Sequence, residues 1–202
     1  MTECFADTTT RSQRLKAATH EAHARLDQRI MAAQPFASRA NYARFVQVQY
    51  CFHSDMESVY RNPVLASVVP ELAQRRRLPQ LLADLADLGV AVPAVHPLPA
   101  PDGRHYEKQV DALGWLYVAE GSNLGAAILA KLAAKLGLHE QFGARHLAGH
   151  PDGRARHWRQ FTAALDSVPL DPAQEQAVVA AACAAFDRVY AHVDTYLPDG
   201  AR

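Results

Sequence analysis

The stretch that decides the fold is "GWLYVAEGSNLGAAILAKLAAKLG", residues 114–137. Its spacing is that of a long helix, yet Gly121 and Gly125 sit near its middle beside the polar pair Ser122 and Asn123. A glycine inside a helix costs roughly 1 kcal/mol relative to alanine, so the pair weakens the segment by about 2 kcal/mol. Positions four apart stack on one helix face, and without a Cβ they let another body approach the backbone. That body is either a neighbouring helix, the common use of small-xxx-small pairs, or a flat ligand. Ser122 and Asn123 shift the balance modestly toward a ligand, because pure packing would leave this face apolar.

The flanking sequence is helical throughout. A first helix is expected from about Thr9 to Ala33, where Leu15, Ala18, Ala22, Leu26 and Ile30 recur at spacings of three and four, and Pro35 stops it. Ser38 is a good N-cap for a second, whose stripe is Phe45, Val48, Phe52, Met56 and Val59. Pro63 closes that helix or opens a short one. "ELAQRRRLPQLLADLADLG" reads as two shorter helical pieces meeting near Pro79 and ended by Gly89 at a C-cap position. The prolines of "VAVPAVHPLPAPDG" mark a surface loop. The glycine-bearing helix then runs from about Tyr106 to Gly137. A further helix surrounds "RARHWRQFTAALDS", and Asp171-Pro172 opens the last, which reaches about Leu197. With no alternating strand pattern and no internal repeat, the chain is expected to be all-α, with roughly seven to nine helices.

Composition removes several classes of function. The 202 residues suit one domain, and 49% apolar with 21% charged residues are globular values. The 21 basic and 21 acidic residues balance, which argues against a protein held by nucleic-acid phosphates or an anionic membrane. The first thirty residues lack an apolar run of secretory type, and Glu120, Asn123, Lys131 and Lys135 interrupt the best membrane-spanning candidate. A cytoplasmic protein is expected. Cys4, Cys51 and Cys183 are too few and too scattered for a disulfide framework or a zinc site.

Ten histidines invite a metal, but no HExxH occurs. "HEAH" at 20–23 places two histidines three apart with no third ligand nearby. His96, His105, His139, His146, His150 and His157 fall in loops or on polar faces and read as solvated. His23 differs: it lies beside Ala22 and Leu26, and Lys16 shares its face two turns away, about 10 Å. An imidazole and a cation at that separation suit a haem, with iron on the nitrogen and a propionate on the ammonium. A half-buried histidine with a solvated lysine fits the spacing too.

"RSQRLKAATHEAHARLDQ", "QPFASRANYARFVQVQYCFHSDMESVYRN", "LGWLYVAEGSNLGAAILAKLAAKLGL" and "FGARHLAG" closely resemble the haem oxygenases of bacteria, over nearly the whole chain. The resemblance implies a single domain over 1–202, with about 1–8 and 198–202 as flexible ends and haem sandwiched between a proximal and a kinked distal helix. It makes His23 the proximal iron ligand and puts Gly121, Ser122 and Gly125 at the haem, where helical spacing also brings Lys16, two turns before His23, and Tyr117, one turn before Gly121. Animal members carry an aspartate after the first of those glycines, where this chain has Ser122. By resemblance the polar groups ordering distal water are then Asn123, His53 and Arg77.

The implied reaction is cleavage of haem, as cofactor and substrate, by O2 to biliverdin, carbon monoxide and ferrous iron. A ferredoxin or flavin reductase would supply electrons, since the chain has no GxGxxG fingerprint. The product serves iron acquisition or a bilin acceptor such as a phytochrome. Lys16 and Tyr117 form an expected propionate clamp favouring the α isomer; Met31 and Leu132 are apolar at the sites considered for the extra cations of haem-rotating relatives. The rival readings are a non-catalytic haem carrier or sensor and a helical enzyme acting on another small ring compound, such as a thiamin degrader.

Overall fold

The protein's structure, a computed structural model, describes residues 9–94 and 107–198. In chain order the helices are α1 (Arg11–Ala18), α2 (His20–Ala32), α3 (Arg39–Asp55), α4 (Glu57–Tyr60), α5 (Pro63–Val68), α6 (Leu78–Asp87), α7 (Glu107–Ala134), α8 (Arg154–Ser167) and α9 (Pro172–Tyr196). Short 3-10 turns cover Leu72–Arg75 and Arg145–Leu147. No strand forms among the described residues, only two isolated bridges around His139. The fold is all-α. Tyr106, Cys4, His96 and His105 lie outside the described residues.

α7 and α9 cross at the centre, and Gly114 makes the crossing possible. A Cβ there would stand 2.4 Å from the Val178 carbonyl oxygen and 2.7 Å from the Ala182 nitrogen, so only hydrogen fits. Leu113, Leu116, Val178, Ala182 and Ala185 fill the surrounding core. A second apolar cluster, built on Tyr42, Phe45, Val46, Leu81 and Leu85, joins α3 and α6 to the later part of α7 through Ala126 and Ala133. The glycine-bearing helix thus runs through both cores while one of its faces is left for other uses.

Chemistry at the helix ends explains most boundaries. Thr10 and Gln13 form a capping box on α1, and Asp171 and Gln174 form another on α9, whose Pro172 occupies the first turn. Ser38 caps α3 by accepting from the Asn41 amide. Gly89, at φ +67, follows α6 as expected.

Two expected helices are broken. The first parts at Thr19 (φ −98, ψ 2), whose amide and hydroxyl both donate to the Leu15 carbonyl, at 2.9 and 2.8 Å. The second parts at Met56, between α3 and α4. A buried network holds the second break: Asp55 accepts from Arg188 Nε at 2.7 Å and pairs with His192 Nε2 at 2.8 Å. Arg11 locks α1 down in the same manner, with its buried guanidinium on Glu175 at 2.8 Å and on the Leu165 and Val168 carbonyls.

Candidate functional site

His23 projects from α2 into the open, with its side chain 62% exposed. Its Nδ1 lies 3.1 Å from Asp27 Oδ2, one turn on, and its ring meets Phe186 of α9 edge-on at 5.8 Å. A proton on Nδ1, facing that carboxylate, would leave the Nε2 lone pair for a metal, the arrangement that supports metal-ligating histidines. His20, on the same helix, is also exposed.

α7 continues unbroken through both glycines. A Cβ on Gly125 would meet nothing within 4 Å, and one on Gly121 only the Trp158 ring, at ordinary contact distances of 3.7 and 3.9 Å. Neither glycine is there for helix packing; Gly114 does that work. Beside them Leu124 (42%) and Ile128 (66%) expose large apolar side chains, and Met31 on α2 is 50% exposed. An exposed imidazole with a free nitrogen, bare helix backbone and unsatisfied apolar side chains fit a flat, apolar, iron-bearing ring such as haem.

Tyr117 and Thr19 tie the two elements together. The Tyr117 hydroxyl lies near the Thr19 side chain, and burial pushes its pKa above the ordinary value. From that contact His23 lies one turn along α2 and Gly121 one turn along α7. Lys16 is exposed on α1. Ser122 turns back on its own helix, donating to the Ala119 carbonyl at 2.7 Å.

Arg77 and Asn123 line one cavity with Glu120 and Trp158. His53 does not line it, but Arg77 acts on it electrostatically from nearby. Its imidazole is 6% exposed, and its pKa is lowered to about 3 by burial first and then by His146 and Arg77. It therefore stays neutral at physiological pH. His53 Nδ1, His146 Nε2, the Tyr42 hydroxyl and Arg77 Nε are all buried without a protein partner. Buried polar atoms left over in such numbers are the usual mark of ordered water.

The reading of His146 and His157 as solvated is wrong, since both are buried at 6% exposure, while His150 is half-buried. Asp84, itself fully buried, accepts from the His146 amide at 3.0 Å and contacts its Nδ1 at 2.8 Å. Glu120 was read only as a charge interrupting an apolar run; it is buried and paired with Arg75 at 2.7 Å. Its separation from Arg75 in sequence, |i−j| of 45, left no local signal for that pair.

These features define an all-α protein with exposed apolar side chains on α2 and α7 and an exposed histidine paired with a carboxylate. The chain belongs to the haem oxygenase family, whose sequence profile matches residues 9–194. It is 49% identical to the haem oxygenase PigA of Pseudomonas aeruginosa over 181 residues, 88% of each chain. It is 34% identical to a haem oxygenase of Xanthomonas campestris over 63% of this chain and 71% of that one. Among solved structures, the NO- and CO-bound haem oxygenase of Neisseria meningitidis superposes with a TM-score of 0.86 at 39% identity, covering 95% of this chain and 94% of that one. The protein is a haem oxygenase, and no described helix is long and apolar enough to cross a membrane.

Proposed function

We propose that the protein binds haem between His23 and the glycine face of α7 and cleaves it with O2 to biliverdin, carbon monoxide and ferrous iron. The observations that support this reading are the pairing of His23 Nδ1 with Asp27 on α2 and two α7 glycines where an added Cβ would meet no obstruction. Haem, when bound, supplies the iron that activates oxygen and is itself the carbon skeleton that is opened.

The chain's part is to bind, orient and exclude. His23 Nε2 ligates, and Asp27 holds its ring in place and raises its basicity. Gly121 and Gly125 keep the far side to the thickness of bare backbone, leaving room for a small gas. His53, held neutral by burial, joins Arg77, Asn123 and His146 in holding water that passes protons toward that side. Ser122, committed to the Ala119 carbonyl, does not replace the missing carboxylate. Lys16 and Tyr117 meet the propionates and set the in-plane orientation for the α isomer. Electrons come from an external ferredoxin or flavin reductase, and the product feeds iron acquisition or a cytoplasmic bilin acceptor.

Incubation of the purified protein with haem, then with a reductant in air, tests this. The Soret band should sharpen and shift on binding, then decay as biliverdin absorbance grows. Intact haem after many equivalents of reductant would mark a carrier, and no Soret change at all would remove haem from the reading.

A further inference from the structure

Beside the cavity that Arg77 and Asn123 line, ligand atoms of Glu71, His150 and His157 all lie within 4.8 Å of one another, which invites a metal ion. The hydrogen bonds decide against it. The Asp152 amide donates to His150 Nδ1 at 3.2 Å, and the Arg75 guanidinium, 3.4 Å from His157 Nδ1, can only donate. A neutral imidazole that accepts at Nδ1 carries its proton on Nε2. Both rings, stacked 4.3 Å apart and 5° from parallel, therefore offer N–H donors where a cation would need lone pairs.

Their surroundings continue the pattern. His150 and His157 line the same cavity as Arg77 and Arg154. Arg77 Nε is buried and without a partner. Glu120, the carboxylate in the lining, is already engaged by Arg75 at 2.7 Å and Tyr60 at 3.4 Å. Glu71 stands outside that lining, half-exposed, with its oxygen 3.9 Å from His150 Nε2, beyond hydrogen-bond reach. α8, which starts at Arg154, has no side-chain cap on its first amides, so its positive end adds to the same field.

We propose that this cavity between α7 and α8 is an anion site that takes one carboxylate or phosphate group on the Nε2–H donors of His150 and His157 and the unpartnered Arg77 Nε–H, with the charge of Arg154, whose guanidinium already donates to the Asn123 and Leu147 carbonyls, beside it. The same field holds the His157 pKa down to about 4, through burial first and the Arg75 charge second. An oxyanion would be the counter-charge this lining lacks. Two sources share that chemistry: a small anion free in solution, and, on the proposed haem placement, a haem propionate that Lys16 and Tyr117 leave unclaimed.

Calorimetric titration of inorganic phosphate at constant ionic strength, into the haem-free and the haem-loaded protein, tests the site. One phosphate per chain is expected in the haem-free form. Binding should weaken about tenfold or more in Arg154→Gln and be measurably weaker in His150→Ala, a loop position whose loss leaves the helices intact. Persistence of binding after haem loading assigns the site to a free anion; its loss assigns the site to a propionate. No saturable phosphate binding, or equal affinity in wild type and both variants, overturns the proposal. So does one equivalent of Zn2+ bound by the wild type and lost in His150→Ala, which would restore the metal.

Discussion

Three glycines on one helix should respond to alanine in opposite ways. At Gly125 a Cβ meets open space and at Gly121 it reaches Trp158 at normal contact distance, so Gly121→Ala and Gly125→Ala meet no obstacle in the haem-free protein. Each should gain the helix-propensity difference, about 0.5–1 kcal/mol, and the double variant about 1–2 kcal/mol. For a chain of this size, 1 kcal/mol moves Tm by about 2–4 °C, so the haem-free double variant should melt about 2–8 °C higher. On the proposed haem placement, haem binding and biliverdin formation should fall at least tenfold in the same variant, because the added methyl groups would stand where the ring approaches the backbone. Gly114→Ala is the counter-experiment: a Cβ 2.4 Å from the Val178 oxygen forces α7 and α9 apart, at a cost of about 1–3 kcal/mol or more. Calorimetry of the haem-free proteins, haem titration and product absorbance read all three effects. A lower haem-free Tm in Gly125→Ala, or unchanged haem affinity in the double variant, would refute the assignment of this face to haem.

His23→Ala should abolish the proximal iron–nitrogen bond while leaving the haem-free Tm within about 1 °C, since the side chain is largely exposed; an unchanged ligand-field spectrum with full turnover would move the ligand elsewhere, His20 first. Lys16→Ala combined with Tyr117→Phe should shift the biliverdin isomer ratio away from α, as chromatography of the product would reveal, and a wild type yielding mainly β or δ would sink the clamp. Asp55 is held below its ordinary pKa: burial works to raise it, and the hydrogen bonds from His192 and Arg188 outweigh that. Its folded pKa being the lower one, the stability it contributes is present above about pH 4 and lost as the pH falls through the folded value. Melting curves at pH 7 and pH 3 should show a smaller acid-induced drop in Asp55→Asn than in wild type, and equal drops would contradict the linkage.

What was legible in the sequence was local. Capping residues such as Ser38 and Asp171, the stop at Gly89 and the 3.6-residue stripes each act within a turn or two of themselves, so the helices they bound fall where the pattern puts them. Failures came where a local signal met a distant partner. The stripe from Leu15 to Ile30 is continuous on paper, yet Thr19 interrupts it, with its hydroxyl turned on the Leu15 carbonyl and its side chain against Tyr117. His146 and His157 sit among polar neighbours in sequence, but Asp84 and Arg75, each more than sixty residues away, bury and pair them.

The two uses of glycine show why the haem-facing surface was half-readable. Pairs of glycine four apart announce that a face must be bare, and Gly121 with Gly125 did so. A lone glycine announces nothing, yet Gly114 carries the tightest approach in the fold, because Val178 and Ala182 arrive from a helix some sixty residues on. Spacing alone would have given close packing to the pair and no role to the single residue. Only the empty space at Gly125 and the 2.4 Å approach at Gly114 reverse that, and they bear on the proposed chemistry: Gly114 fixes where α7 lies on α9, and so sets where the two glycines proposed to line the haem stand in the fold.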